Sequence, residues 1–345
     1  MLVPIEGIAD KSLAFMGEQV KKDQEIDLKP LVQGFALDSI SKVAFGMETN
    51  CHRYEDKEFF DIARQVFEQF TTHTWTNTFL FNFLMLFPEL LKKMGFWPEA
   101  AIKIRNMTKD IMQQRDEKNI SVGDFVDRLR EFKKVAQAPI TSEMIEAQGM
   151  VFLTAGFETT SNTIGALLYY ITTNSEVQEQ LVEEINRNIG SEEITHEAIA
   201  SLDFLEACIM ETLRIHPPVI EHDRTCVKDC IVNGIPIKKG VSIQLPIYAA
   251  HYNPDFFPEP HVFKPERFLK ENEDQIIPYT WRPFGSGNRV CIGQRFALME
   301  IKLYVAKLLA KFKLSPTPKT KLECPIGSGF LMYYDNMFIK LAQRN

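Results

Sequence analysis

Apolar residues recur at helical spacing through most of the first half of the chain, which predicts a helical protein. The segment 26–45 has this period and is followed by Gly46, so we predict a helix that ends at the glycine. Segments 56–70 and 99–118 show the same spacing, the latter with a strongly polar outer face.

The segment 141–173 predicts an unusually long helix. Thr141 or Ser142 is a suitable N-cap residue, and no proline interrupts the segment. At 1.5 Å per residue the helix would be roughly 45–50 Å long. It is apolar on nearly all sides, so we expect it to pass through the core.

The second half combines helices with short strands. Its predicted elements are helices at 176–189, 204–215 and 291–311, a hairpin at 231–237 around an Asn-Gly turn, a strand at 241–247, an irregular meander at 251–290 and a closing hairpin at 330–341. The fold class is therefore mainly α with small β-sheets, and we treat 1–345 as one domain.

Composition and charge exclude several functional classes. The net charge of -7 and the lack of a basic run argue against nucleic acid as a partner. Six cysteines without a CxxC pair favour a reducing environment over a disulfide framework. No segment has the ~20 apolar residues of a membrane-spanning helix. The apolar stretch 79–87 fits either a buried segment or a patch that enters a membrane surface.

The most informative segment is 284–293, in which three glycines surround Cys291. Glycines let the backbone approach a bulky flat ligand and adopt positive φ. With the helix predicted to begin at the cysteine, free N–H groups from 292 to 294 would favour the thiolate, which is the form that ligates iron. Arg289 could hold an anionic group of the same ligand. The alternative is a buried core cysteine beside a glycine-rich turn.

Polar residues interrupt the long helix at 155–160. Glu158 would be costly to bury without a partner, and the Thr159 hydroxyl can bond to a carbonyl one turn back. One interpretation is a polar notch that holds water or dioxygen. The other is a helix kink in which Glu158 makes an internal hydrogen bond.

These motifs resemble those of the cytochrome P450 family, over nearly the whole chain. The family's pattern Phe-x-x-Gly-x-Arg-x-Cys-x-Gly is matched at Phe284, Gly287, Arg289, Cys291 and Gly293. The resemblance is closest to the animal microsomal branch that includes the drug-metabolising family three. It implies haem b with Cys291 as the iron ligand. The residues it places around the haem are Arg289, Arg224, Phe284, Gly285, Ile292, Gly293 and Ala155.

The resemblance also assigns roles to other residues. Thr159 and Glu158 would serve oxygen activation and proton delivery. If Glu211 and Arg214 were a solvent-exposed ion pair, they would contribute little to stability. The resemblance implies instead that the pair is buried and joined by Arg267, and that the three residues hold the cysteine loop. Candidate substrate contacts are Phe152, Val219, Ile220 and Phe330.

The same resemblance implies partners and location. Electrons would come from NADPH through a cytochrome reductase, with cytochrome b5 as a possible second donor, and the substrate would be a small apolar molecule. Lys302, Lys307 and Lys311 could help to dock an acidic reductase. The full-length form would lie on the cytosolic face of the endoplasmic reticulum membrane.

Several alternatives stay open. The chain corresponds to the later two-thirds of the family's length and lacks its anchor and first helices, so we interpret it as a fragment, a partial gene model or a short isoform. It could be an oxygen-independent haem-thiolate isomerase or an inactive haem-binding fragment. A zinc site would use His216, His222, Cys226 and Cys230, although their spacing is loose.

Overall fold

The computed structural model describes residues 2–22, 25–71, 99–136, 139–190, 194–323, 331–334 and 336–344. The predicted stretch 79–87 lies outside these residues. The helices are α1 (Leu2–Lys22), α2 (Leu28–Phe45), α3 (Lys57–Thr71), α4 (Glu99–Lys118), α5 (Phe125–Val135), α6 (Ser142–Thr173), α7 (Ser175–Asn188), α8 (His196–Ala200), α9 (Asp203–Ile215), α10 (Ile247–His251) and α11 (Gln294–Lys311).

In the part of the chain that the structure describes, the strands are short and form three small antiparallel sheets. They are β1 (Ile26–Asp27), β2 (Glu221–Thr225), β3 (Cys230–Val232), β4 (Ile235–Ile237), β5 (Ser242–Pro246), β6 (Phe312–Pro316) and β7 (Phe338–Gln343). One sheet has the order β1-β7-β6, and the others pair β2 with β5 and β3 with β4. The mainly helical fold class predicted from the pattern is confirmed.

Local signals explain where the predicted elements begin and end. The Thr141 side chain accepts a hydrogen bond from Met144 N and caps α6, which extends over 32 residues. Gly46 ends α2 with a φ of 63°. The Asn233-Gly234 turn has positive φ at both residues, as a tight hairpin turn requires.

Two predicted elements were wrong. The closing hairpin is not found among the described residues of 330–341, because β7 pairs with β6, which directly follows α11, and with β1 near the other end of the chain. The helix predicted from Cys291 begins at Gln294, so the cysteine lies in the loop before it. Helix α1 and strand β2 were not predicted, the latter because its sequence Glu-His-Asp-Arg-Thr lacks an apolar alternation.

The long helix α6 passes through the core, with α2 packed along it. From Thr160 to Leu168 every residue of α6 is buried. Gly165 lets the Tyr334 ring pack against the helix backbone, since a Cβ at that position would overlap the phenol. No helix within the described ranges is both long and apolar enough to cross a membrane.

Candidate active site

The cysteine loop is a tight turn that presents Cys291 to solvent. Cys291 N donates to Phe284 O at 2.8 Å, which closes the loop. Gly285 and Gly287 have φ values of 76° and 68°, a conformation that other residues rarely adopt. Cys291 is exposed, and its neighbour Ile292 is 85% exposed. The loop therefore offers a thiol beside an apolar surface.

Buried hydrogen bonds fix the chain just before this loop. His251 Nδ1 donates to Arg214 O at 3.0 Å, and its Nε2 accepts from Arg282 N at 3.1 Å. Burial lowers the pKa of His251 to about 4, so the ring is neutral at physiological pH and can accept that bond. Trp281 Nε1 donates to Met210 O at 3.2 Å. Sequence reasoning missed His251, which carries no local motif.

The structure brings Glu211, Arg214 and Arg267 together. Arg214 Nε and one terminal nitrogen bond the two Glu211 oxygens at 2.8 and 2.9 Å, and both side chains are fully buried. Arg267 Nε lies 3.6 Å from Glu211 Oε1. Arg214 also donates to His251 O at 2.9 Å. Because His251 in turn holds Arg282, the buried pair is connected to the cysteine loop through a continuous chain of contacts.

Positive side chains lie on the loop and beside it. A Cβ added to Gly285 would lie 3.1 Å from His222 Cε1, so β2 passes directly beside the loop. The pKa of His222 is lowered first by burial and then by the charges of Arg224 and Arg282. Arg282 Nε is buried and has no hydrogen-bond partner among the described residues. Arg289 is exposed on the loop itself. This arrangement suits an anionic group, and sequence reasoning missed the contribution of Arg282.

The α6 glutamate has a buried lysine partner. Lys29 Nζ lies 2.7 Å from Glu158 Oε1 and 2.6 Å from Asn162 Oδ1, and Gln33 Nε2 donates to Glu158 Oε2 at 2.9 Å. Both carboxylate oxygens are therefore bonded by residues of α2. This geometry corresponds to the internal hydrogen bond that the sequence left open as an alternative to proton delivery.

Thr159 lies at a small cavity beside this pair. Its hydroxyl donates to Ala155 O at 2.5 Å, which confirms the predicted bond to a carbonyl one turn back. Helix α6 nevertheless continues through this point without a break. The residues that line the cavity are Glu158, Thr159, Asn162, Pro218, Leu331, Met332 and Tyr333. The cavity is thus polar on the side formed by α6 and largely apolar on the side that faces α6.

The candidate substrate contacts are dispersed. Val219 forms a β-bridge with Leu331, which places it next to that cavity. The ring of Phe152 stacks on Phe125 with centroids 3.6 Å apart. Ile220 is half-buried, and its carbonyl accepts from Tyr248 N. Phe330 lies outside the described residues.

Glu300 on α11 is a buried acid that the sequence did not single out. It is 1% exposed, and neither carboxylate oxygen meets hydrogen-bond geometry with any described residue. Burial raises its pKa to about 8, an effect that the nearby Ser39 hydroxyl opposes only weakly. The carboxyl is therefore largely protonated at neutral pH.

Two of the three lysines suggested for partner docking are engaged inside the fold. Lys302 is buried and bonds Glu206. Lys307 lies 3.0 Å from Glu6 and 2.7 Å from Asp10, both on α1. The docking prediction was therefore wrong for these two residues, because the unpredicted helix α1 and the start of α9 supply their partners. Lys311 is exposed.

The cysteine loop fits haem better than it fits a metal ion alone. The loop presents one exposed sulfur and an apolar surface at Val290 and Ile292. Arg282 Nε is buried and has no partner among the described residues. These features match a flat apolar group that carries anions. A zinc site is not supported, since the part of the chain that the structure describes contains no group of three metal-ligating side chains. The fold and this loop define a haem-thiolate protein.

Comparisons with known proteins identify the family. The sequence model of the family described as Cytochrome P450 matches residues 3–341. The chain is 29% identical to mouse cytochrome P450 3A11, in an alignment that covers all of this chain and 70% of the relative. It is 31% identical to mouse cytochrome P450 3A16, with 96% of this chain and 68% of the relative covered. It is 32% identical to cytochrome P450 9e2 of the cockroach Blattella germanica over 95% and 66%.

The chain therefore belongs to the cytochrome P450 family, an oxidoreductase family of haem-thiolate monooxygenases. The resemblance to animal family three is confirmed by several relatives of that name. The chain spans about two-thirds of the length of the relatives it matches.

Proposed function

We propose that this chain binds haem and acts as a monooxygenase that inserts one oxygen atom from O2 into an apolar organic substrate such as a lipid, a steroid or a xenobiotic. The observation that carries the proposal is Cys291, exposed in a loop that two positive-φ glycines and the Cys291 N to Phe284 O bond hold in shape. When bound, haem b would supply the oxygen chemistry, with the Cys291 sulfur as its ligand.

The surrounding residues would hold and orient the haem. Phe284, Gly285, Ile292 and Gly293 form the loop, and Ala155 is exposed on α6. Arg224, Arg289 and Arg282 would bind its anionic groups, since they carry the positive charge near this loop. The Glu211, Arg214 and Arg267 network would keep the loop in place through His251.

Thr159 would act at the cavity that it lines. Its hydroxyl hydrogen is held by Ala155 O, so the oxygen lone pairs remain available to accept a proton or to bond water. We propose Glu158 as the acid behind it, in contact with the same cavity. Its bonds to Lys29 and Gln33 hold it in position and support a positioning role as well.

We propose that an NADPH-dependent cytochrome reductase supplies the electrons, with cytochrome b5 as a possible second donor. The protein would lie on the cytosolic face of the endoplasmic reticulum membrane. These proposals rest on membership of the family.

The test is turnover of the purified chain with isotopically labelled dioxygen, the reductase and NADPH, after haem has been supplied. We expect label in a hydroxylated product of an apolar substrate. A rearranged product that forms without dioxygen would instead identify an isomerase. A thiolate-type spectrum without any turnover would support haem binding and argue against the monooxygenase reaction.

A further inference from the structure

Cys226 and Cys230 form a thiol pair outside the cysteine loop 284–293. Their sulfur atoms are 3.7 Å apart, which is van der Waals contact. Cys230 is exposed and Cys226 is half-buried, whereas Cys51 and Cys208 are buried. Burial raises the pKa of Cys51 and Cys208, so these two thiols stay protonated and protected.

The backbone around the pair brings the two sulfurs together. Cys226 follows β2 directly, and its N–H donates to Val241 O at 2.8 Å. Cys230 begins β3 and is paired with Ile237 on β4. Between them Asp229 bonds Lys238 Nζ and Lys239 N, which closes the turn. The pair thus spans two separate small sheets, β2-β5 and β3-β4.

We propose that Cys226 and Cys230 are a reversible dithiol–disulfide site that reacts with low-molecular-weight disulfides such as glutathione disulfide. A disulfide requires the sulfurs to approach to about 2.05 Å, and the three exposed residues between the cysteines allow that movement. A metal site is a weaker interpretation, because no third ligand joins the two sulfurs among the described residues and the set is incomplete. This inference does not depend on haem binding.

The exchange balances as two successive displacements. One cysteine thiolate attacks a sulfur of glutathione disulfide, forms a mixed disulfide and releases one glutathione thiolate. The second cysteine thiolate then attacks the protein sulfur, closes the internal disulfide and releases the second glutathione. Two electrons pass from the cysteine sulfurs to glutathione disulfide, and the two thiol protons end on the released glutathiones.

The product would tie the end of β2 to the start of β3 covalently. Arg224 lies on β2, two residues before Cys226. Oxidation would therefore stiffen the strand that carries this arginine, and reduction would release it. Cys230 has a raised pKa because of its hydrogen bond with Cys226, so exchange should be faster at mildly alkaline pH.

The sequence provides a convenient readout. Lys228 lies between the two cysteines, so trypsin leaves peptides 225–228 and 229–238, which remain joined only when the disulfide is present. We would equilibrate the folded chain in glutathione buffers, alkylate the free thiols and digest it. We expect the joined peptides to appear with rising glutathione disulfide and to disappear on reduction. Phenylarsine oxide, which bridges two close thiols, should protect both cysteines from alkylation together.

Controls distinguish this site from general thiol reactivity. Cys226→Ser and Cys230→Ser should each lose the joined peptides and keep a glutathione adduct on the remaining cysteine. Cys291→Ser removes another exposed thiol and should leave the joined peptides unchanged. The proposal is overturned if the folded wild-type chain gives only glutathione adducts, if the link forms only after denaturation, or if Cys291 pairs with either cysteine instead.

Discussion

The buried pair between Lys29 and Glu158 allows the sharpest test of how α2 supports α6. In Lys29→Met the Glu158 carboxylate would keep only its Gln33 bond at 2.9 Å and would lose the 2.7 Å ion pair. Both side chains are less than a tenth exposed, so water cannot replace the lysine. The variant would also lose the cation–π contact in which Lys29 Nζ lies 4.4 Å from the centre of the Tyr334 ring.

The expected magnitude follows from burial. Removing one partner of a buried ion pair typically costs about 3–5 kcal/mol, because an uncompensated charge remains. A matched control is Lys42→Met on the same helix, whose pair with Glu48 has a similar distance of 2.8 Å but side chains that are 32% and 77% exposed. Such exposed pairs contribute about 0–1 kcal/mol.

Urea unfolding at neutral pH would measure both variants. We expect Lys29→Met to lower the free energy of unfolding by several times the loss in Lys42→Met. The double variant Lys29→Met with Glu158→Gln should recover most of the stability, since it leaves no unpaired charge. Equal losses in the two single variants, or a double variant as unstable as Lys29→Met, would refute this account of the pair.

Three further predictions follow from the site. Glu300 has a folded-state pKa of about 8 against an ordinary value of 4.5, so its contribution to stability falls as pH rises between these values, by about 1.4 kcal/mol per pH unit. The difference in unfolding free energy between the wild type and Glu300→Gln should fall by that amount per pH unit, and a difference that does not change with pH would contradict the assignment. His251→Phe should lower the free energy of unfolding by about 2–4 kcal/mol, since Arg214 O and Arg282 N each lose a buried hydrogen bond. The variant should also speed alkylation of Cys291 in the haem-free chain. An unchanged alkylation rate would show that His251 does not hold the cysteine loop in place. Thr159→Ala should spare haem binding but divert electrons to peroxide, measured as hydrogen peroxide per NADPH, whereas Thr159→Ser should restore coupling; unchanged coupling in the alanine variant would argue against the proton role.

Local signals predicted much of the helical framework. The length of α6 follows from its N-cap threonine and an apolar segment without proline, and α2 ends at a glycine with positive φ. The cysteine loop was recognisable because its chemistry requires glycines and a cysteine at fixed spacing. In each case the interaction that decides the structure lies within a few residues of the chain.

Long-range partners were not predictable in this way. Lys29 and Glu158 are 129 residues apart, and Lys29 reads as an ordinary polar position on a helix surface. Glu300 likewise lies at a position of α11 that no local motif marks, and its burial depends on distant parts of the chain, among them Ser39 of α2. The role of His251 depends on Arg214 and Arg282 meeting from separate segments.

The most direct test of the central assignment is the carbon monoxide difference spectrum of the reduced chain supplied with haem. We expect the absorbance band that gives the cytochrome P450 family its name, and we expect Cys291→Ser to abolish it while Cys230→Ser retains it. A wild-type chain that binds haem without this band, or a band that persists in Cys291→Ser, would contradict ligation by Cys291.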